Sequence, residues 1–342
     1  MSFKYVSDTI KATEVISRYQ LTWSQKESRN KRLAILKNVF MGTDPRFLVI
    51  VGPCSAHDED AVCDYVNRLA LLQQKVENEL FIVPRIYTNK PRTTGEGYKG
   101  MLYQPDIDNP PNILYGIEAI RKLHVRTIAE TGLIAADEML YPENLVFLQD
   151  LLGYVAIGAR SVEDQQHRFV ASGIDCPVGM KNPTSGDMNV LFNSILAAQA
   201  PQRLILNQKE VETSGNDLAH VVLRGYVNRQ GLSMPNYHYE DLMEAICLYK
   251  ERKLKYPFIV VDTNHDNSGK HYIEQIRIVK EVLFNRAWNT DIRNTVKGFM
   301  IESFIENGKQ DGKDHIYGKS ITDPCLGWNE TEQLIYYIAE HI

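Results

Sequence analysis

Eight short apolar runs recur along the chain, and they limit its fold more than any other feature. Their sequences are FLVIVGPCS, LFIVPRIY, GLIAADEM, YVAIGAR, CPVGMKN, AHVVLRG, FIVVDTNH and VKGFMIES. Because they lack the apolar–polar alternation of a sheet with one wet face, both faces of their sheet are predicted to be buried. Helical patterns lie between the runs, over 59–76, 112–124, 142–152, 162–172, 187–199, 239–253 and 270–285. Eight such units predict an α/β fold, the (β/α)8 TIM barrel.

Two segments lie outside this alternation. Residues 1–45 carry two helical patterns, and Gly42 and Pro45 end the second of them. This segment is predicted to form an N-terminal helical arm. The barrel domain then occupies 46–342. The segment RLILNQKEVETSG, at 203–215, is predicted to form a strand or hairpin inserted before the sixth barrel strand. Because the arm is amphipathic, we expect it to contribute subunit contacts in a homodimer or homotetramer.

Composition excludes several classes of protein. The net charge is −5 and no long basic run offsets it, so we expect no nucleic-acid partner. The chain has no signal-peptide apolar segment and no run of about 18 apolar residues, so we expect no membrane partner. Its five cysteines are scattered and form no Cys-x-x-Cys pair. A disulfide framework is therefore not expected, and a reducing cytoplasm is the predicted location.

Cations stand at or just beyond the predicted strand ends, where the active sites of such barrels lie. The six are Arg85, Lys90, Arg92, Arg160, Lys181 and Arg224. A single arginine at a strand end is more often part of a structural ion pair than a ligand. Six on one face repel one another by several kcal/mol, which favours a site for more than one phosphate or carboxylate.

A second set of side chains at the same face has the chemistry of metal ligands. Cys54, His265, Glu302 and Asp323 offer sulfur, nitrogen and oxygen atoms suited to a divalent transition metal. Cys54 could also be a buried apolar residue or, beside six cations, a nucleophile of low pKa. We favour the ligand role for it. His57 is interpreted as a structural residue or as one that supports the ligands without binding the metal. Cys63 and Cys247 are interpreted as core residues within helices.

Several sequence blocks resemble a known enzyme family. They are GPCSAHD, PRIYTNKPRTTGEGYKG, AIGARSVEDQQHR, ASGIDCPVGMKNPT, HVVLRG, DTNHDNSGK and YGKSITDPCLGW, in this order from about residue 5 to the C-terminus. The chain resembles the type I, aromatic-amino-acid-regulated 3-deoxy-D-arabino-heptulosonate 7-phosphate (DAHP) synthases. The resemblance implies a metal-dependent transferase that condenses phosphoenolpyruvate with D-erythrose 4-phosphate and water, giving DAHP and phosphate. This reaction is the first step of the shikimate pathway to the aromatic amino acids.

The resemblance also implies a role for each site residue. Cys54, His265, Glu302 and Asp323 would hold one divalent metal ion, Mn²⁺, Fe²⁺, Co²⁺ or Zn²⁺. Phosphoenolpyruvate would lie on Arg85, Arg160, Lys181 and Arg224, assisted by Glu138 and the backbone of Ala159 and Arg160. Lys90 would lie close to both substrates, and Arg92 and Thr93 would hold the phosphate of erythrose 4-phosphate. We expect Lys90, Cys54 and His265 to be the catalytic residues.

Three alternatives remain open at this point. An octulosonate 8-phosphate synthase would condense phosphoenolpyruvate with arabinose 5-phosphate on the same barrel, although the KPRTT block and the long arm favour the four-carbon aldehyde. A class II metal aldolase would explain a metal and cations, but it would not need so many phosphate ligands. A non-catalytic relict barrel would have no reason to keep every charged residue.

The departures from the family pattern cluster in a few segments. The chain has MLYPENLVF where a Thr-Pro-Gln turn is usual, a shorter inserted hairpin, and KNPTSGD in place of a more glycine-rich block. Asp137 stands where a glycine is usual. Because the first two segments and the arm build the effector site of regulated members, we expect feedback by aromatic amino acids to be weak, altered or absent.

Overall fold

Eight parallel strands form the central sheet of the computed structural model, which describes residues 2–311 and 315–342. They are β1 (Phe47–Gly52), β2 (Leu80–Pro84), β3 (Ala136–Glu138), β4 (Tyr154–Ile157), β5 (Val178–Lys181), β8 (Ala219–Leu223), β11 (Ile259–Asp262) and β12 (Val296–Glu302). Each predicted apolar run contains one of these strands. Nearly every strand residue is buried, as a sheet covered on both faces requires.

The sheet closes on itself and forms the predicted barrel. Its strand order is β2-β1-β12-β11-β8-β5-β4-β3, and a parallel bridge between Arg85 and Ala136 joins the two outer strands. Across this junction the backbone N–H of Ile86 donates to the carbonyl of Ala136 at 2.9 Å. We call the β2–β3 junction the seam. Closure brings the carboxyl ends of all eight strands around one opening.

Helices cover the outside of the barrel. They are α3 (Glu59–Lys75), α4 (Ile113–Thr131), α5 (Gln165–Ala171), α6 (Met188–Gln199), α7 (Tyr239–Arg252), α8 (Glu274–Trp288), α9 (Thr290–Thr295) and α10 (Trp328–His341). The last two were not among the predicted helices. No described helix is both long enough and apolar enough to cross a membrane.

The helix predicted over 142–152 is wrong, because only a short 3₁₀ helix forms at Pro142–Phe147. The carbonyl of Phe147 accepts a hydrogen bond at 2.7 Å from Nη1 of Arg121 on α4. In an α-helix that carbonyl would accept from the backbone N–H of Leu151. Leu151 instead donates to the carbonyl of Leu148 at 2.8 Å, which is 3₁₀ geometry.

The N-terminal arm consists of α1 (Ala12–Arg18) and α2 (Trp23–Met41). Thr22 forms a capping box with Gln25 at the start of α2. Gly42 ends α2 in a left-handed conformation, and this helix end was predicted. The Phe40 ring lies 4.1 Å from that of Phe258 and covers the amino-terminal end of the barrel. The arm therefore shares the barrel core, and the domain boundary at residue 45 stays a prediction.

Two hairpins extend from the barrel. Strands β6 (Arg203–Leu206) and β7 (Lys209–Glu212) pair antiparallel, which confirms the hairpin predicted before the sixth barrel strand, β8. A second hairpin, β9 (Tyr226–Val227) with β10 (Ser233–Met234), follows β8 and was not predicted.

The five cysteines are free thiols in the structure. The core assignment is correct for Cys63, which is buried on α3, and wrong for Cys247, which is exposed. Helix α7 packs on the barrel through Leu242, Ala245, Ile246 and Tyr249. Position 247 lies off that face, since each helical residue turns the side-chain direction by about 100°.

Candidate active site

A cavity of about 320 Å³ opens at the carboxyl ends of the barrel strands. Its lining includes all six predicted cations, Arg85, Lys90, Arg92, Arg160, Lys181 and Arg224, together with Thr93, Glu138, Ala159, His265 and Asp323. Cys54 and Glu302 are fully buried and contact the lining residues from behind. The structure thus brings every predicted site residue to one end of the barrel.

Carboxylates on β11 and the loop after it hold two of the cations. Lys181 Nζ lies 3.0 Å from Oδ2 of Asp262, and both side chains are buried. Arg224 forms an ion pair with Asp266, whose other oxygen accepts a hydrogen bond from the Ser233 hydroxyl at 2.8 Å. These partners fix the two cations in place and offset part of their charge.

Lys90 and Arg85 are held in the same way by predicted metal ligands. Lys90 Nζ lies 2.6 Å from Sγ of Cys54 and 2.9 Å from Oδ2 of Asp323. Arg85 Nη2 lies 2.9 Å from Oε1 of Glu302. Burial opposes the charge on Lys90, but Cys54 and Asp323 outweigh it and raise the pKa of the ammonium group above its ordinary value. Lys90 is therefore a cation rather than a base.

Two of the six cations have no carboxylate partner in the described part of the chain. Arg160 Nε donates to the Thr93 hydroxyl at 2.9 Å, and Arg92 Nε donates to the carbonyl of Tyr98 at 2.8 Å. Lys270, a cation that the sequence analysis missed, also lines the cavity and has no carboxylate within 4 Å among the described residues. The mouth of the cavity therefore carries the excess positive charge, which favours anionic ligands there.

Glu138 lies close against the turn that carries Ala159 and Arg160. A Cβ atom at Gly158 would come within 2.2 Å of Oε1 of Glu138, so a larger residue there would displace the carboxylate. The turn follows β4, which pairs with β3 in parallel register, Glu138 opposite Ala156. This register brings the carboxylate and the turn to the same side of the cavity.

Three of the four predicted metal ligands form a compact cluster. One ligand atom from each of Cys54, Glu302 and Asp323 lies within 4.8 Å of the other two, and Cys54 Sγ is 3.2 Å from Oδ2 of Asp323. His265 lies outside this group, but its Nε2 is 3.7 Å from Oε1 of Glu302. Its Nδ1 is bound by Asp262 at 2.9 Å, which directs Nε2 toward the cluster.

The cluster fits a divalent transition metal. Asn264 donates to Oε2 of Glu302 at 2.6 Å, whereas the buried Oε1 accepts no hydrogen bond, because the nearby Arg85 nitrogen lies at an unsuitable angle. Among the described residues that oxygen is held only by its ion pair with Arg85, which leaves it able to bind a metal ion as well. Metal–ligand bonds of about 2.0–2.3 Å would span the observed separations after small side-chain shifts.

The protonation of Cys54 argues against the nucleophile alternative. Burial, followed by the charge of Glu302, raises the pKa of the Cys54 thiol to about 12, although Lys90 and Arg85 act in the opposite direction. The low pKa expected from the six nearby cations is therefore wrong, because four of them are paired with carboxylates. A thiol of this kind becomes a thiolate when a metal coordinates it.

Asp262, at the end of β11, connects the two halves of the site. It contacts Lys181 of the anion pocket and His265 of the metal cluster. Burial opposes its ionisation, but His265 and Lys181 outweigh burial and hold its pKa well below the ordinary value. His57 lies outside the metal cluster, with its ring 6.0 Å from that of Phe304, which agrees with a structural role.

Known proteins match this chain over most of its length. A family model described as the DAHP synthetase I family matches residues 19–335. The phospho-2-dehydro-3-deoxyheptonate aldolase of Haemophilus influenzae is 37% identical over 313 residues, 89% of this chain and 83% of that protein. The Trp-sensitive enzyme of that name from Enterobacter agglomerans is 39% identical over 320 residues, 91% of this chain and 88% of that protein.

A solved structure agrees with the fold as well. The phospho-2-dehydro-3-deoxyheptonate aldolase of Francisella tularensis SCHU S4 superposes with a TM-score of 0.91 at 32% identity, covering 100% of this chain and 98% of that one. The resemblance predicted from the sequence blocks is thereby confirmed. The chain belongs to the DAHP synthetase I family.

Proposed function

We propose that this site condenses phosphoenolpyruvate with D-erythrose 4-phosphate and water to give DAHP and phosphate, with the residue roles given below. One observation carries the proposal. In a chain of this family, a cavity lined by six cations adjoins a buried Cys–Glu–Asp cluster suited to a metal. Two phosphorylated substrates need the first feature, and activation of a carbonyl group needs the second.

Phosphoenolpyruvate binds on the side of the cavity formed by β4, β5 and β8. Lys181 and Arg224 are preorganised by Asp262 and Asp266, while Arg160 has no carboxylate partner among the described residues and can bind the phosphate directly. Erythrose 4-phosphate binds at the loop after β2, where Arg92 and Thr93 lie at the cavity mouth. Holding both substrates in one cavity places carbon 3 of phosphoenolpyruvate next to the aldehyde carbon.

The bound metal would be held by Cys54, Glu302, Asp323 and His265, and it supplies Lewis-acid polarisation of the aldehyde oxygen. Lys90 holds a proton at Nζ between the cluster and the cavity. From there the proton can pass to oxygen as carbon 3 bonds to the aldehyde carbon. Water then adds to carbon 2, and phosphate leaves by cleavage of its bond to that carbon. The mixed sulfur, nitrogen and oxygen set suits Mn²⁺, Fe²⁺, Co²⁺ or Zn²⁺.

Turnover with and without metal tests this function. We expect the purified protein to release phosphate from phosphoenolpyruvate only when erythrose 4-phosphate is present, to lose activity after chelation, and to regain it with Mn²⁺ or Co²⁺. Undiminished activity in the metal-stripped protein would contradict the proposed mechanism. Faster turnover of arabinose 5-phosphate would instead favour the octulosonate 8-phosphate alternative, and inactivity with both aldehydes would favour a relict barrel.

The assembly, its regulation and its location stay predictions. Phe3, Tyr5 and Val6 of the arm are 87–97% exposed, which supports a homodimer or homotetramer built with the arm. Light scattering would test this, and a monomer at micromolar concentration would contradict it. The weak or absent feedback expected above is tested by assays with phenylalanine, tyrosine and tryptophan. The cytoplasmic location is likewise untested.

A further inference from the structure

The seam between β2 and β3 has little backbone pairing. Strand β1 pairs five residues with β2 and five with β12. At the seam, by contrast, the described structure has the Arg85–Ala136 bridge and the hydrogen bond from Ile86 N. In a regular parallel ladder the next donor would be the N–H two residues further along, at Thr88. That donor has a side-chain partner instead.

The partner of Thr88 is the carboxylate of Asp137, the second residue of β3. The Thr88 N–H donates to Oδ1 at 2.9 Å, and the Thr88 hydroxyl donates to Oδ2 at 2.5 Å. Oδ1 also accepts from the N–H of Glu138 at 2.7 Å, and Nε2 of His124 on α4 lies 3.4 Å from Oδ2. Asp137, Thr88 and His124 are all buried. A side chain thus continues the seam where the backbone ladder ends.

Thr88 forms the base of the loop over 90–99, which carries Lys90, Arg92 and Thr93 into the cavity. The loop closes where Lys90 N donates to the carbonyl of Lys99 at 3.0 Å, and the chain then returns to Thr88, whose carbonyl accepts from Leu102 N at 3.2 Å. Gly100 packs so closely that a Cβ there would lie 2.4 Å from the carbonyl oxygen of Thr88. The position of the loop therefore depends on the position of Thr88.

We propose that Asp137 is a positioning residue whose carboxylate closes the seam and sets the loop over 90–99 for the aldehyde substrate. The inference rests on the roles given above to Lys90, Arg92 and Thr93. Asp137 itself touches no substrate and does not line the main cavity. It acts through Thr88 on the loop and through Glu138 N on the opposite wall.

Loss of this carboxylate has a specific kinetic consequence. In Asp137→Ala the N–H groups of Thr88 and Glu138 lose their acceptor, so the loop base shifts. Displacement of binding groups by about 1 Å can cost about 10²-fold in rate. We expect KM for erythrose 4-phosphate to rise about tenfold or more and kcat to fall. KM for phosphoenolpyruvate should rise less, because Asp262 and Asp266 hold Lys181 and Arg224 independently of the seam, although Glu138 N also loses its acceptor.

Conservative variants distinguish positioning from general destabilisation. In Asp137→Asn the amide oxygen can still accept from both N–H groups and the amide nitrogen can donate to the Thr88 hydroxyl, so kinetics should stay within about threefold of the parent. Thr88→Val keeps the backbone bond and should give a smaller effect than Asp137→Ala. The control is Phe40→Leu at the opposite end of the barrel, which lowers the melting temperature but should leave both KM values unchanged.

The kinetics of these variants test the positioning role of Asp137. A selective rise in KM for erythrose 4-phosphate in Asp137→Ala, rescued in Asp137→Asn, supports the proposal. Unchanged kinetics in a folded Asp137→Ala protein, or equal rises in both KM values, would overturn it. If Asp137→Ala does not fold, Thr88→Val decides by the same criterion. Arg92→Ala separates this inference from the proposed function, because an unchanged KM in that variant would refute the loop's substrate role itself.

Discussion

Replacing Cys54 by alanine is expected to abolish metal-dependent turnover while the barrel still folds. Sγ of Cys54 belongs to the ligand cluster, 3.2 Å from Oδ2 of Asp323. Loss of a residue that hydrogen-bonds a metal ligand already costs about 10–100-fold in metal affinity or activity. Loss of a ligand itself should therefore cost at least about 10²-fold. Folding should survive, because Lys90 keeps its ion pair with Asp323 at 2.9 Å. Removing one buried sulfur costs only about 1 kcal/mol.

The matched control is Cys63→Ala, the same substitution at another buried cysteine. Cys63 lies on α3, outside the cluster and the cavity lining. We expect a similar small loss of stability and a turnover rate within about twofold of the parent protein. Turnover, metal content and thermal unfolding should be measured for both variants. A Cys54→Ala protein that binds metal and turns over normally would remove Cys54 from the site.

The barrel and the residues that form its site could be predicted from the sequence alone, because both depend on the parallel sheet. Buried strands of this kind are apolar on both faces, so their ends are marked by the first charged residues, such as Lys181 and Glu302. Barrel closure then brings these ends together whatever their distance along the chain. The carry-over from the family added Thr93 and the backbone of Ala159.

What the sequence could not predict is how the charges pair. Asp262 and Asp266 hold Lys181 and Arg224, and this pairing leaves the excess charge at the cavity mouth. The raised pKa of the Cys54 thiol follows first from burial and then from the charge of Glu302. The carbonyl at the end of the 3₁₀ helix Pro142–Phe147 accepts a hydrogen bond from Arg121 on α4. Such contacts are tertiary and leave no periodic signal in the sequence.

Asp262→Asn should weaken metal binding and phosphoenolpyruvate binding together. The buried carboxylate accepts from Lys181 at 3.0 Å and from Nδ1 of His265 at 2.9 Å, one on each side of the site. An amide carries no charge, and whichever way it is turned its NH₂ group would face a donor, either the Asn264 N–H or Lys181, so the contacts to Lys181 and His265 weaken. We expect metal affinity to fall about 10–100-fold, as for other residues that orient a histidine ligand. Titration of Mn²⁺ into chelated protein measures this directly.

The same variant should also raise KM for phosphoenolpyruvate, because Lys181 would lose the anion that fixes it beside the cavity. Asp217→Asn is the matched control, since Asp217 pairs with Lys255 at 2.9 Å on the surface and exposed pairs of this kind contribute about 0–1 kcal/mol. That variant should bind metal and substrate as the parent does. If Asp262→Asn lowered only one of the two affinities, the carboxylate would serve one half of the site. If it lowered neither, Asp262 would be a structural ion pair, and the metal cluster and anion pocket would be independent.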